Sequence, residues 1–139
     1  MTRETELSSK FVDATIREFG SQIWIQKQID PLRAGTPDIY AMSQGMFIPI
    51  ECKRVERDSG NSILSHNFTK IQKKRMRDLA IVIAYPIGLI FREDEKRYIL
   101  PLAIREDGNI SIEEYLKLPL FNWMEVINDA TKAYRNRYP

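Results

Sequence analysis

An α/β fold, a mixed sheet flanked by helices, is predicted by three observations. Segments of helical and of strand periodicity follow one another in the order helix, strands, helix, strands, helix. Two apolar runs, 38–42 and 46–53, are separated by Ser43-Gln44-Gly45, the length and chemistry of a tight hairpin. The chain of 139 residues is 43% hydrophobic, which provides one real core and predicts a single domain over 1–139.

The first helix is expected over 4–20, with Leu7, Phe11, Ala14 and Ile16 to Phe19 near a helical period. Gly20 stops it, and Thr5 or Thr2 caps it. Residues 22–29 alternate, with Ile23, Ile25 and Ile29 against Gln22, Gln26 and Gln28, as a half-buried strand does. Two prolines and a glycine make 30–37 a turn. The hairpin follows, and Pro49 within it removes a backbone donor, which predicts an irregular or edge position. Residues 54–67 are polar and read as a loop; 68–85 begins as a helix, with Lys70, Lys73, Lys74 and Arg77 on one face. Strands at 87–91 and 97–102 flank a charged turn. A short helix over 111–118 opens on a capping box, Ser111 and Glu114. The last helix, 121–135, carries Phe121, Met124, Ile127 and Ala130 or Thr131 on one side. No repeat or low-complexity segment interrupts this order.

Composition narrows the function. The first ten residues lack an apolar signal core, and the longest apolar run, 79–91, is too short for a membrane span and is broken by Pro86 and Gly88. One cysteine excludes an internal disulfide and a cysteine-rich zinc site. An intracellular, cytoplasmic protein without membrane attachment is expected. The net charge of +2 does not announce a nucleic-acid partner, but the distribution of charge can still do so.

The chemistry concentrates in residues 36–54. Residues two apart on a strand share a face, so Glu51 and Lys53 project together while Ile50 and Cys52 point the other way. Asp38 opens the neighbouring strand, where its carboxylate can converge on the same spot. Two close carboxylates repel unless a cation lies between them. Mg²⁺ accepts one or two carboxylates and keeps other positions for water and phosphate oxygens, and the backbone carbonyl of Cys52 offers a further oxygen. Lys53 can orient or deprotonate an attacking water, or neutralise charge on a phosphate. These are the parts of metal-assisted phosphodiester hydrolysis. A proline–aspartate pair followed by E-x-K also arises by accident, and Glu51 and Lys53 would suit a solvated edge strand. The placement on two hairpin strands between helices favours the chemical reading.

With Pro37-Asp38 and Glu51-x-Lys53, the stretch resembles the PD-(D/E)xK nuclease core. Residues 62–72, 88–102 and 121–129 are similar to segments of RecU-type Holliday junction resolvases, so the likeness covers about 4–130. The resemblance implies a restriction-endonuclease-like fold and a Mg²⁺-dependent endodeoxyribonuclease, with Mn²⁺ as a substitute, that resolves four-way junctions by symmetric cleavage. It makes Asp38 and Glu51 metal ligands and Lys53 the catalytic lysine, and adds Gln72 as a helper of the active site. Glu6 matches an acidic helix position beside the metal, with Glu4 and Asp13 as competitors nearby. The chain departs from RecU in the shortness of 30–37, where that family carries a longer insertion; this form resembles archaeal or phage-type resolvases and implies a prokaryotic or phage-infected cell. Symmetric nicking implies a homodimer.

Beside such a core, Lys70, Lys73, Lys74, Arg75 and Arg77 are expected to contact DNA phosphates rather than merely solvate a helix. Arg33, Arg54 and Arg57 flank the site and can hold the scissile strand. His66, the only histidine, lacks partners for zinc. Cys52 is expected in the core, as are Trp24 and Trp123. The rival readings are another nuclease of the superfamily, VRR-NUC-type or restriction-like, and a DNA-binding module with an inert acidic cluster.

Overall fold

Gln44 and Gly45 both take positive φ, 52° and 76°, so the chain reverses in two residues between Ser43 and Met46. This is the turn whose twist matches the flanking strands, and it fixes the register of the sheet. The computed structural model describes residues 3–28, 37–54, 68–82, 84–92 and 95–134. Its elements are α1 (Arg3–Phe19), β1 (Trp24–Lys27), β2 (Ile39–Ser43), β3 (Met46–Arg54), α2 (Lys70–Val82), β4 (Ile87–Arg92), β5 (Glu95–Ile99), α3 (Ile112–Lys117) and α4 (Trp123–Tyr134). Short 3₁₀ turns lie at Gly20–Gln22 and Pro101–Ala103.

The five strands lie in the order β1-β2-β3-β4-β5. Only β3 and β4 are parallel, joined by the crossover that contains α2; the other neighbours are antiparallel. Pro49 therefore sits in the central strand, not at an edge. Its place costs no ladder bond. The Cys52 N–H points toward β2, so odd residues of β3 face β4, as the Tyr85 N–H bond to the Phe47 carbonyl shows. On that side the pairing with β4 begins only at Ile50 and Ile87, one residue past the proline.

Alternation along the strands makes two faces. Ile25, Ile39, Ala41, Ile48, Ile50, Cys52, Leu89 and Phe91 join α1 and α4 in the larger core. Within it, Phe11 stacks on Trp123 at 5.8 Å, and the Trp123 indole N–H donates to Thr15 Oγ1 at 3.2 Å. On the second face, Phe68, Met76, Ile90, Ile99, Ile104, Ile110 and Tyr115 form a smaller core under α2 and α3.

Several expectations shift. Thr5 lies inside α1 rather than capping it, and Thr2 lies outside the described residues. The buried stripe of α1 is Ser8, Phe11, Val12 and Thr15, leaving Ala14 and Ile16 exposed. In α4 the stripe is Trp123, Val126, Ile127, Ala130 and Tyr134, and Met124 is exposed. The Asn122 side chain accepts from the N–H groups of Met124 and Glu125, so the helix starts at Trp123 and leaves Phe121 outside it, and the stripe that is buried is the one that meets the larger core. Trp24 is 48% exposed on the second face, which α2 and α3 do not cover at the β1 end, so it is not core. The capping box of α3 is formed as expected.

Candidate active site

The hairpin register places two carboxylates side by side. Ile39 pairs with Ile50, so one step further Asp38 stands opposite Glu51, with both side chains on the second face. Asp38 is held from two directions: its carbonyl accepts from the Gln28 N–H at 2.8 Å, and its Oδ2 accepts from the Cys52 N–H at 2.8 Å. A strand residue presents its N–H and C=O to the same side, so the Cys52 carbonyl also faces the edge where Asp38 lies. The Cys52 side chain is buried in the larger core, as expected.

Glu51 is only 3% exposed, and its Oε1 accepts from Gln72 Nε2 at 2.9 Å. Lys53, 6% exposed, projects on the same face, its Nζ 5.7 Å from the centre of the Phe68 ring. Two glycines make room for Phe68, one for its ring and one for its backbone. Gly88 stands opposite Glu51 in β4, and a Cβ there would lie 2.8 Å from Phe68 Cζ. Gly108, at φ +75°, lets the chain pass so close that a Cβ would lie 1.9 Å from the Phe68 carbonyl oxygen. The Phe68 N–H donates to the Gly108 carbonyl at 3.1 Å.

The donor set suits a hard divalent cation: two adjacent carboxylates and one backbone carbonyl, all oxygen. Glu6 does not complete it. It is exposed on α1, whose apolar stripe packs on the opposite face of the sheet. Among the described residues no three His, Cys, Asp or Glu side chains gather closely enough to hold a metal ion.

The basic residues divide. Lys70, Lys74 and Arg75 are exposed, Lys74 pairing with Asp78 at 2.9 Å; Arg54 and Arg77 are half-buried. Lys73 corrects the expectation of a phosphate contact. It is 6% exposed, and its Nζ donates to the carbonyls of Arg105 and Glu106 at 2.6 and 2.9 Å. The helical stripe that carries it borders the buried Met76, and its charge is taken up by the loop leading to Gly108. Arg33, Arg57 and His66 lie outside the described residues.

Sequence reasoning missed Thr69. Its hydroxyl accepts from the Gln72 N–H at 3.1 Å, and its own N–H donates to Gln72 Oε1 at 2.9 Å. The spacing T-x-x-Q at the start of a helix is a capping-box signature and would have revealed it. The packing roles of Gly88 and Gly108 had no such signal.

No family model and no curated protein matches the chain. Among the described residues no helix is long and apolar enough to cross a membrane. Among solved structures the chain is similar to Hjc of Archaeoglobus fulgidus, a Holliday junction resolvase from an archaeal hyperthermophile. The TM-score is 0.63 at 10% identity, covering 84% of this chain and 94% of that one. The mixed five-stranded sheet with flanking helices is thus the α/β fold of that resolvase.

Proposed function

We propose that the chain is a Mg²⁺-dependent endodeoxyribonuclease that hydrolyses phosphodiesters in branched DNA, four-way junctions above all, as a homodimer. The observation that carries this reading is the placement of Asp38 opposite Glu51, with Lys53 two residues on, on the fold of a resolvase. Asp38, Glu51 and the Cys52 carbonyl would hold the ion. An ion held there would supply Lewis-acid chemistry toward a phosphate oxygen and an attacking water, for which Mg²⁺ or Mn²⁺ would serve. The chain supplies the rest. Gln72 fixes the direction of the Glu51 carboxylate, and the Asp38 carboxylate is fixed by the Cys52 N–H. Lys53, held against Phe68, brings an ammonium to the phosphate, where negative charge grows as the bond to water forms. Exposed Lys70, with Arg54 and Arg77, contacts the DNA backbone; Arg33 and Arg57 are placed with them by the sequence alone. Such a substrate puts the activity in the cytoplasm of a prokaryotic or phage-infected cell.

A second reading, a DNA-binding module with an inert acidic pair, is favoured by one observation: Glu6 does not join the two carboxylates. Asp38→Ala and Glu51→Ala separate the two. On the nuclease reading each lowers junction cleavage by at least about 100-fold, the scale of losing one transition-state contact, while the junction still shifts in a gel. Cleavage left intact in either variant would remove the site.

A further inference from the structure

We propose that Thr69 is a positioning residue of the candidate active site: by capping α2 it fixes which end of the Gln72 amide faces Glu51. The Thr69 backbone N–H is a donor only, and it meets Gln72 Oε1 at 2.9 Å. The amide oxygen is thereby committed to the helix end. Its NH₂ must then point the other way, and there Nε2 donates to Glu51 Oε1 at 2.9 Å. Turned over, the amide would set N–H against N–H at Thr69 and oxygen against carboxylate at Glu51, losing both bonds at once. The Thr69 hydroxyl completes the box by accepting from the Gln72 N–H at 3.1 Å, which holds the first turn of α2 to the same residue.

The cap is itself anchored by the preceding residue. Phe68 is 2% exposed, bonded to the Gly108 carbonyl and fitted against Gly88, and its ring lies beneath Lys53. The segment 68–72 therefore touches both Glu51 and Lys53, one through a capped amide and one through a ring. Thr69 reaches neither directly, so its effect passes through Gln72. The effect on cleavage rests on the nuclease reading; the orientation of the amide does not.

The test compares wild type with Thr69→Pro, which removes the backbone N–H that holds Gln72 Oε1, with Thr69→Ala, which keeps that N–H and removes only the hydroxyl, and with Ser111→Ala. The last removes an equivalent box from α3 and controls for the loss of a helix cap. Without metal or DNA, ¹⁵N–¹H spectra follow the Gln72 side-chain NH₂, identified by its loss in Gln72→Ala. In wild type its protons should exchange with solvent at least about tenfold more slowly than those of an exposed glutamine, as an intact part-buried bond requires; that protection should fall in Thr69→Ala and vanish in Thr69→Pro. In calorimetric Mn²⁺ titrations, Thr69→Pro should bind about 10- to 100-fold more weakly, the usual effect of losing an outer-shell partner, with Ser111→Ala close to wild type. A Gln72 amide unprotected in wild type, or equally protected in Thr69→Pro, overturns the proposal. If wild type neither binds Mn²⁺ nor cuts DNA, the nuclease reading falls, and the amide result alone decides the role of Thr69.

Discussion

Gly88 stands opposite Glu51 in the central pair of strands, where an added methyl group would meet Ile99 Cγ2 and Phe68 Cζ, both at 2.8 Å. Gly88→Ala should cost about 1–3 kcal/mol of stability, the range for overpacking a filled core. It should also reduce cleavage in conditions where the protein is still folded, because the ring it displaces lies beneath Lys53. Denaturant titration beside a nicking assay measures the two losses separately. Gly108→Ala should be worse, since a Cβ 1.9 Å from a backbone oxygen is joined to a positive φ. Lysines in one helix should also part company. Lys73→Ala leaves two carbonyls without their donor and should lower stability with little change in the salt dependence of DNA binding. Lys70→Ala should leave stability alone and reduce the salt slope by about one. Both are read from binding isotherms at several salt concentrations. These two lysines look alike in the sequence, because a helical period gives a shared stripe but not which edge of it lies over the core. Asp38, Glu51 and Lys53 were legible because strand periodicity and hairpin length alone bring them to one face.

The elements themselves were largely readable: the sheet-forming segments, the crossover helix and the capped α3 all follow from local pattern. Their frames were less so. The stripe of α4 runs through the residues that meet the larger core, and Trp24 lies exposed at the β1 end of the second face, where among the described residues neither α2 nor α3 covers it, a tertiary fact without local cause. Likewise the distance between Gln72 and Glu51 depends on how α2 crosses the sheet. At this scale α3 is joined to β5 through one ionic cluster. Arg97 Nε donates to Glu95 Oε1 at 2.8 Å, and Nη1 donates to the carbonyls of Leu116 and Leu118 at the end of the helix. The Tyr115 hydroxyl donates to the same Glu95 oxygen at 2.9 Å. The Arg97 bond first, then that of Tyr115, holds the Glu95 carboxyl below its ordinary value of 4.5, while burial first, then Glu95, pushes the Tyr115 phenol well up. A carboxyl lowered in the folded state stabilises the fold above its unfolded value; that stabilisation is lost as pH falls through the folded one. Stability should therefore decline below 4.5 as Glu95 takes up its proton, and Glu95→Gln should flatten that part of the curve. Thermal melts across this acid range measure it.

For the molecule as a whole, the fold is similar to that of a junction resolvase, and the second face carries the residues proposed for the reaction, Asp38, Glu51, Lys53 and Gln72. The larger core under α1 and α4 supports the sheet from behind, and the smaller core under α2 and α3 supplies Gln72 and Phe68. The measurement that bears most directly on the central claim is a gel assay of a synthetic four-way junction and a matching linear duplex. Each is incubated with and without Mg²⁺, with wild type beside Lys53→Ala. The expected result is paired symmetric nicks in the junction alone, absent without Mg²⁺ and lost in Lys53→Ala. Cutting of both substrates would keep the nuclease and contradict the preference for junctions. No cutting, with the junction still shifted, would contradict the assignment of Asp38, Glu51 and Lys53 as an active site.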